Sequence, residues 1–371
     1  MRKEKRNKVL AILLFVQIGV IYLLSYFPNF IEKFYTNGIY ILISSFLRTI
    51  FGWVPFSIGD ILYLIIIFLL VRFLVLIIKK RFKNIRPLLL QSGAFISVLY
   101  FFFYFLWGIN YSRPSIVYSL DIDRKEITPE SGIEGEPEGK SDIKKLENLT
   151  DKLIDRLVSL QMELVSHDSL PVQVPYSKSK ILDMTSLGYK NLSQTFPQFK
   201  YEPSSIKKSL FSLPLTYMGF AGYLNPFTGE AQVDYLIPKT SLPMTSSHEV
   251  AHQLGIASES EANFIGFLAA SSHDDKYFQY SAFLSAFRYA LHDIYSYDPD
   301  VYQSYIKDIP LGIKKNIREN QEFWKRYENP AEPLFKIFYD NYLKVNQQKS
   351  GLLSYNQMVD LLIAYDAKYP L

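Results

Sequence analysis

Three long apolar runs occupy the first third of the chain. Residues 9–27 contain no charged side chain, residues 61–78 carry only Arg72, and residues 88–107 again contain none. A helix rises about 1.5 Å per residue, so a run of about 18–20 residues can cross a hydrocarbon core about 30 Å thick. The pattern predicts three transmembrane helices at 9–27, 61–78 and 88–107. A cleaved signal peptide is the alternative for the first run, but that run exceeds the apolar core of about 7–15 residues typical of signal peptides.

Basic residues cluster before the first predicted span and between the second and the third. The two clusters are Arg2, Lys3, Lys5, Arg6 and Lys8, and Lys79, Lys80, Arg81, Lys83 and Arg86. Cytoplasmic loops carry an excess of Lys and Arg, so both clusters are expected in the cytoplasm, and three spans then leave the chain after Asn110 on the other side. We therefore expect a multi-pass protein of the cell (inner, cytoplasmic) membrane with a cytoplasmic N-terminus and an extracytoplasmic C-terminal domain.

Residues 28–60, between the first two predicted spans, mix apolar and polar positions. Residues 40–51 are apolar with Arg48 among them, and Trp53, Pro55 and Gly59 interrupt the pattern. Because Trp and Tyr favour the boundary between lipid and water, we predict a short helix that lies on or dips into the membrane interface. An additional short span is the alternative.

The composition changes after residue 112. Residues 121–142 are rich in Glu, Gly, Pro and Ser, which predicts a flexible acidic linker (113–142) between a membrane domain (1–112) and a second domain (143–371). In the second domain apolar residues recur at helical spacing over 143–164, 179–196, 264–270, 277–295, 317–327, 334–345 and 355–365. This pattern predicts a mainly helical domain.

Two segments just before residue 238 alternate in a different way. Residues 215–223 and 230–237 are separated by Asn225, Pro226 and Gly229, which predicts a β-hairpin and hence a small sheet in an α+β domain. An exposed hairpin edge can hold an extended peptide by strand addition. A hairpin that only covers the core is equally consistent with the pattern.

The strongest chemical signal lies within residues 245–264. His248, Glu249 and His252 form a His-Glu-x-x-His motif, and on a helix the two histidines share one face, so their imidazoles can bind one metal ion with Glu249 beside it as a base. The chain contains no cysteine, so a zinc site here must use histidine and carboxylate ligands. The motif predicts Zn²⁺ as the cofactor.

A catalytic zinc takes three protein ligands, and the nearest acids after the motif are Glu259 and Glu261. Gly255 is expected to end the motif helix, and a second helix follows it. On that helix the two glutamates point about 200° apart, so only one of them can be a ligand. We favour Glu259, with Asn263 on the same face orienting a histidine and Glu261 as a cap or surface residue. The reverse choice stays open.

Two resemblances add to these predictions. The His-Glu-x-x-His motif with the Glu-Ser-Glu-Ala-Asn segment at 259–263 resembles zincin metallopeptidases of the Glu-ligand type, in which the first Glu of the second motif binds zinc. Segments 56–60, 107–113, 222–230, 342–346 and 354–359 resemble an uncharacterised bacterial membrane family, domain of unknown function 3810. The second resemblance covers nearly the whole chain and implies a zinc-peptidase-like domain without indicating a substrate.

The sequence thus predicts a membrane-anchored zinc metallopeptidase that hydrolyses peptide bonds of a peptide or protein substrate on the extracytoplasmic side. His248, His252 and Glu259 are the expected metal ligands, and Glu249 is the expected catalytic base. The alternative is a non-catalytic membrane scaffold with a structural zinc site. The small formal net charge of +4 does not favour nucleic acid as a partner.

Two further expectations concern the surroundings of the site. The group that stabilises the oxyanion is expected among Tyr277, Tyr280, Arg288 and His292. More than a hundred residues separate Trp107 from the motif. We therefore expect the site to lie outside the bilayer, which makes cleavage inside the membrane an unfavoured mechanism.

Overall fold

The computed structural model describes residues 2–79, 85–122, 143–346, 348 and 357–371, and most of them are helical. The first part contains α1 (Arg2–Leu24), α2 (Pro28–Phe30), α3 (Tyr40–Gly52), α4 (Ile58–Lys79) and α5 (Arg86–Leu106). The second part contains α6 (Ile143–Leu164), α7 (Lys178–Thr195), α8 (Ser212–Met218), α9 (Leu242–Gln253), α10 (Glu259–Ser271), α11 (Lys276–Tyr297), α12 (Pro299–Asp308), α13 (Leu311–Tyr327), α14 (Glu332–Val345) and α15 (Gln357–Lys368). Three short strands accompany these helices in the described residues: β1 (Ile206–Lys208), β2 (Gly222–Leu224) and β3 (Ala231–Val233).

The helices α1, α4 and α5 are long and apolar enough to cross a membrane, which confirms the three predicted apolar helices. Helix α1 packs along α5, where Gly93 lets Ala11 approach so closely that a Cβ at position 93 would lie 3.0 Å from the Ala11 Cβ. Helix α4 differs, because none of its residues after Asp60 is buried by the protein. Its attachment to the rest of the molecule is therefore concentrated in its first two turns.

Helix α3 buries its polar face and exposes apolar side chains. It continues from α2 through a π-helical segment (Ile31–Ile39), and it buries Tyr40, Ser44 and Arg48, which are spaced four residues apart on one face. Leu42 and Phe46 are exposed on its other side. The polar face is the buried one, and 13 residues span only about 20 Å, too short to cross a bilayer.

The core of the second part surrounds α10, which is buried along almost its whole length. The predicted stripe of α6 is confirmed, since Leu146, Leu149, Leu153, Leu157 and Leu160 are all buried in this core. Each such side chain contributes about 1.5–3 kcal/mol relative to leaving it in water. The predicted linker divides here: residues 123–142 lie outside the described residues, whereas Ile116, Val117 and Leu120 pack into the same core.

The sheet has the order β1-β3-β2, with β1 parallel and β2 antiparallel to β3. The pairing of β2 with β3 confirms the predicted hairpin. The prediction that its first strand begins at residue 215 is wrong, because Ser212–Met218 forms α8. Gly219 ends that helix with φ at 78°, a left-handed conformation that glycine adopts without strain, and only then does the chain extend.

Candidate metal centre

Two consecutive helices build the centre. His248 and His252 lie one turn apart on α9, and Gly255, with φ at 84°, reverses the chain so that α10 begins at Glu259 and runs back against α9. The two helices approach closely at Gly266, where a Cβ would lie only 2.8 Å from the backbone nitrogen of His248. This close packing brings the first turn of α10 to the histidine face of α9.

Three potential ligand atoms converge at this point. The Nε2 atoms of His248 and His252 are 3.1 Å apart, and Oε2 of Glu259 lies 3.3 Å from the first and 3.7 Å from the second. Zinc ligands about 2.0–2.1 Å from a tetrahedral ion lie about 3.3 Å from one another. In the plane of the three atoms, the point at equal distance from all of them lies about 2.0 Å from each, so their arrangement fits one zinc ion.

Neighbouring groups hold two of these side chains in orientation. Nδ1 of His252 lies 2.7 Å from the backbone oxygen of Ile256, which fixes the protonated nitrogen there and leaves Nε2 facing the centre. The hydroxyl of Tyr339, on α14, donates to Oε1 of Glu259 at 2.5 Å and leaves Oε2 facing the histidines. Such partners orient ligands and tune their basicity at metal sites.

The electrostatics of the cluster favour a bound cation. Burial acts to lower the pKa of His252, but the Glu259 carboxylate outweighs it and raises this pKa to about 9. Burial acts to raise the pKa of Glu259, but the two histidines outweigh it and hold this pKa well below its usual range. The carboxylate is therefore ionised, and in the absence of metal a proton on His252 balances it.

Glu249 lies beside the cluster and is almost completely buried. One ligand atom from each of His248, Glu249 and His252 lies within 4.8 Å of the others. Burial raises the pKa of Glu249 to about 7, and its Oε2 has no hydrogen-bond partner among the described residues. A buried carboxylate oxygen without a protein partner is expected where water or substrate must be bound.

The position of Glu249 depends on the β2 backbone. A Cβ on Gly222 would lie 2.5 Å from Oε1 of Glu249 and 2.7 Å from the backbone oxygen of Gln232. Only glycine fits between the carboxylate and β3 at this position. The strand β2 therefore passes directly over the carboxylate of Glu249.

Glu261 and Asn263 do not occupy the places expected of them. Glu261 is buried away from the histidines, and its Oε1 accepts a hydrogen bond of 2.9 Å from the backbone nitrogen of Ile116, so the prediction of a cap or surface residue is wrong. The prediction that Asn263 orients a histidine is also wrong. The backbone oxygen of Ile256 is the partner of His252, and Nδ1 of His248 has no hydrogen-bond partner in the described part of the chain. The side-chain amide of Asn263 lies beside Tyr289.

The four residues considered for oxyanion stabilisation separate into two groups. Tyr280 donates its hydroxyl to Asn316 at 2.8 Å, and Tyr277 packs edge-on against Tyr176, so both are engaged elsewhere. Arg288 lines a cavity of 200 Å³ that also touches Thr245, three residues before His248, and Ala221, next to Gly222. It also lines an adjoining cavity of 740 Å³, where His292 lies. Of the set, Arg288 alone lines the cavity that touches Thr245 and Ala221.

Residues of the first part of the chain contact the C-terminal end of the motif helix. Trp107, just after α5, donates its indole N–H to the backbone oxygen of His252 at 3.0 Å. Tyr40 and Ser44 of α3 donate to the backbone oxygen of Gln253 at 3.0 and 2.7 Å. The C-terminal end of the motif helix therefore rests on α3 and on the end of α5.

A second junction joins α4 to the sheet. The carboxylate of Glu230, next to β3, accepts hydrogen bonds from the backbone nitrogens of Ile58 and Gly59 at 3.2 and 2.6 Å and so caps α4. Asp60 accepts hydrogen bonds from Tyr223 of β2 and from the Leu210 backbone nitrogen. The segments 56–60 and 222–230, separate in sequence, thus form one interface.

Several residues of the centre escaped prediction from the sequence. Tyr339 and Trp107 act from 80 and 145 positions away along the chain, and no local pattern connects them to their partners. Trp107 and Gly222 are the first residues of segments 107–113 and 222–230, whose resemblance to a family of membrane proteins is the one sequence feature that marks them. Gly266 carried no signal, since a glycine within a helical pattern does not reveal what packs against it.

Comparison with known proteins gives one match. Searches of curated proteins and of solved structures found nothing similar to the chain. Residues 35–363, which include the whole centre and the ends of α4 and α5, match the model of a protein family. The chain belongs to that family, which is described as protein of unknown function (DUF3810).

Proposed function

We propose that this protein is a membrane-anchored zinc metallopeptidase with a zincin-like domain that hydrolyses peptide bonds. His248, His252 and Glu259 would hold the zinc ion, and Glu249 is the catalytic base. The observation that carries the proposal is the triangle of 3.1, 3.3 and 3.7 Å between the three ligand atoms, with a buried carboxylate beside it. Two histidines and one glutamate leave a fourth position open, as catalytic zinc requires.

The bound metal would supply a Lewis acid and lower the pKa of a water molecule to about 7. Glu249 accepts a proton from the attacking water as the oxygen forms its bond to the carbonyl carbon. It then delivers that proton to the amine nitrogen as the C–N bond breaks. In the metal-free site burial raises the pKa of Glu249 to about 7, and a bound metal ion would lower it and favour the ionised form that a base requires. Arg288, which lines the 200 Å³ cavity with Thr245 and Ala221, is our candidate for binding the substrate or its oxyanion.

The edge of β2 offers a place for the peptide backbone. The backbone nitrogen of Asn225 donates to the backbone oxygen of Glu230 at 3.0 Å, and the backbone nitrogen of Asp234 donates to the backbone oxygen of Ala221 at 2.8 Å. The intervening Gly222 and Leu224 therefore direct their N–H and C=O groups away from β3. In the described residues β2 is an edge of the sheet. An extended peptide added to this edge would pass over Glu249, because Gly222 touches its carboxylate.

The orientation in the membrane is part of the proposal. The C-terminal ends of α1 and α5 and the N-terminal end of α4 meet the second part of the chain, as three spans of alternating direction require. The basic cluster before the first span lies at the opposite end of α1. By the rule that basic ends stay in the cytoplasm, the centre faces the extracytoplasmic side of the cell membrane.

Metal content and peptidase activity of the full chain test the function. Wild type purified in detergent is expected to contain one equivalent of zinc by mass spectrometry and to cleave members of an internally quenched peptide library. Glu249→Gln is expected to keep the zinc and lose cleavage. A wild-type protein without zinc, or a Glu249→Gln variant that still cleaves, contradicts the proposal. A zinc-loaded wild type that cleaves nothing favours the non-catalytic scaffold.

A further inference from the structure

An apolar surface adjoins the centre on the side of the membrane helices. It is formed by α8 and α14, which contact each other, and we name it the α8–α14 face. Its exposed side chains are Leu213, Tyr217, Leu334, Phe335, Ile337 and Phe338. Phe338 and Leu334 are 75% and 68% exposed, values comparable to 65% for Phe68 in the middle of α4. Contiguous apolar surface of this kind marks contact with a partner or a membrane.

This face is attached to the ends of two candidate spans. At the α8 side, the backbone nitrogen of Leu210 donates to Asp60, in the first turn of α4, at 2.6 Å. At the α14 side, the hydroxyl of Tyr104, in the last turn of α5, donates to Asn346 at 2.9 Å. The start of α8 therefore lies near the start of α4, and the end of α14 lies near the end of α5.

The same face is attached to the centre. Tyr339, next to Phe338, donates to Glu259, and its ring packs against Phe220, which follows α8. The edge strand β2 also touches a span, because the ring of Tyr223 stacks on Tyr63 of α4 with centroids 5.9 Å apart. The proposed peptide-binding edge and the third ligand thus both lie beside the span ends.

We propose that the α8–α14 face rests in the lipid of the membrane that α1, α4 and α5 cross, so that the centre opens at the membrane surface. The bilayer is the occupant that the attachments favour, because hydrogen bonds tie the two ends of the face to the ends of α4 and α5, which are long and apolar enough to cross a membrane. It follows that the substrate is a polypeptide segment within a few residues of its own membrane anchor. This second statement rests on the proposed function.

The chain contains no cysteine, so single cysteines can be labelled without background. Phe338→Cys and Leu334→Cys are compared with Phe68→Cys as the lipid-facing control and Met162→Cys, 49% exposed on α6, as the water-facing control. Each full-length variant carries an environment-sensitive fluorophore in phosphatidylethanolamine and phosphatidylglycerol vesicles with brominated acyl chains. The labels at 338 and 334 are expected to be quenched by the lipid, as at 68. Quenching by aqueous iodide alone, as at 162, overturns the proposal, and so does shielding from both quenchers, which indicates a protein cover such as a second copy.

The substrate class is tested with one peptide in two forms. A library peptide cleaved by the wild type is presented free or joined to an apolar helix of about 20 residues in the same vesicles. Wild type is expected to prefer the anchored form by at least about tenfold, since confinement to one surface raises the effective concentration. Because α1, α4 and α5 still anchor it, the Leu334→Glu/Phe338→Glu variant is expected to lose only the part of that preference that depends on how close the centre lies to the membrane surface, and to keep cleavage of the free peptide, whereas Met162→Glu changes neither.

Equal cleavage of the two forms by the wild type, or an unchanged preference in the double variant, overturns the substrate class. If the wild type cleaves no library peptide at all, the proposed function fails. The fluorophore measurement then still decides whether the face lies in lipid.

Discussion

The spacing between α9 and α10 can be tested with a single methyl group. In Gly266→Ala the new Cβ would lie 2.8 Å from the backbone nitrogen and 3.0 Å from the Cα of His248. Ordinary contact begins at 3.4 Å, so α10 must move by about 0.6 Å, because backbone atoms of a buried helix cannot rotate away. A shift of that size directed along the line from His248 to Glu259 lengthens the distance between their ligand atoms from 3.3 Å to about 3.9 Å, well above the spacing of about 3.3 Å around a tetrahedral zinc.

The expected result of Gly266→Ala is weaker zinc binding with a folded protein. Overpacking costs about 1–3 kcal/mol, and the higher helix propensity of Ala returns up to about 1 kcal/mol, so the net loss of folding stability stays within about 0–3 kcal/mol. Zinc affinity is expected to fall by about tenfold or more. Competition with a chromogenic chelator measures the affinity, and a thermal melt of the full chain measures the stability. An unchanged affinity in a folded variant would refute the idea that this helix contact sets the ligand triangle.

The remaining predictions concern other parts of the centre. Gly222→Ala displaces the Glu249 carboxylate by about 0.9 Å and leaves the ligands in place, so kcat should fall by about 10²-fold with zinc retained; loss of zinc would contradict this assignment. Tyr339→Phe removes the donor to Glu259, and zinc affinity should fall about 10–100-fold in the same chelator assay. Because the pKa of His252 is raised to about 9, zinc must displace a proton from His252 at any pH below that value. The affinity for zinc should therefore rise about tenfold per pH unit between pH 7 and 8.5. Calorimetric titration in buffers of different ionisation enthalpy should show about one proton released at pH 7.5, and no release would contradict the Glu259–His252 coupling.

Local rules predicted the parts of the centre that lie on one helix or on one turn. The four-residue spacing placed His248 and His252 on one face, and Gly255 does reverse the chain before α10. Helical periodicity also separated Glu259 from Glu261, and the structure brings the first and not the second to the histidines.

Long-range contacts account for what local rules missed. Glu261 was expected at a cap or on the surface, but the backbone of Ile116, far away in sequence, satisfies it inside the core. Residues 215–218 have apolar and aromatic side chains that favour a strand, but they form the last part of α8, which ends at Gly219. The Thr216 hydroxyl hydrogen-bonds to the backbone oxygen of Ser212 and to the carboxylate of Asp234. Tertiary partners of this kind override weak local preferences.

The relation of the centre to the membrane also depends on contacts that separation along the chain does not reveal. The chain leaves α5 at Trp107 and returns through α9, so that residues 145 positions apart share a hydrogen bond. Loop-closure entropy grows only slowly with loop length, so a long intervening segment gives little ground for expecting distance in space. The spans were predictable from hydropathy, whereas the place where their ends meet the centre was not.

The central claim is that His248, His252 and Glu259 together hold one zinc ion. The most direct test measures the zinc content and zinc affinity of the full-length wild type, Glu259→Gln and the matched variant Glu261→Gln, whose side chain can still accept the hydrogen bond from Ile116. Wild type and Glu261→Gln are expected to bind one zinc ion with similar affinity, and Glu259→Gln is expected to lose most of it. A Glu259→Gln protein that binds zinc as tightly as the wild type would contradict the claim.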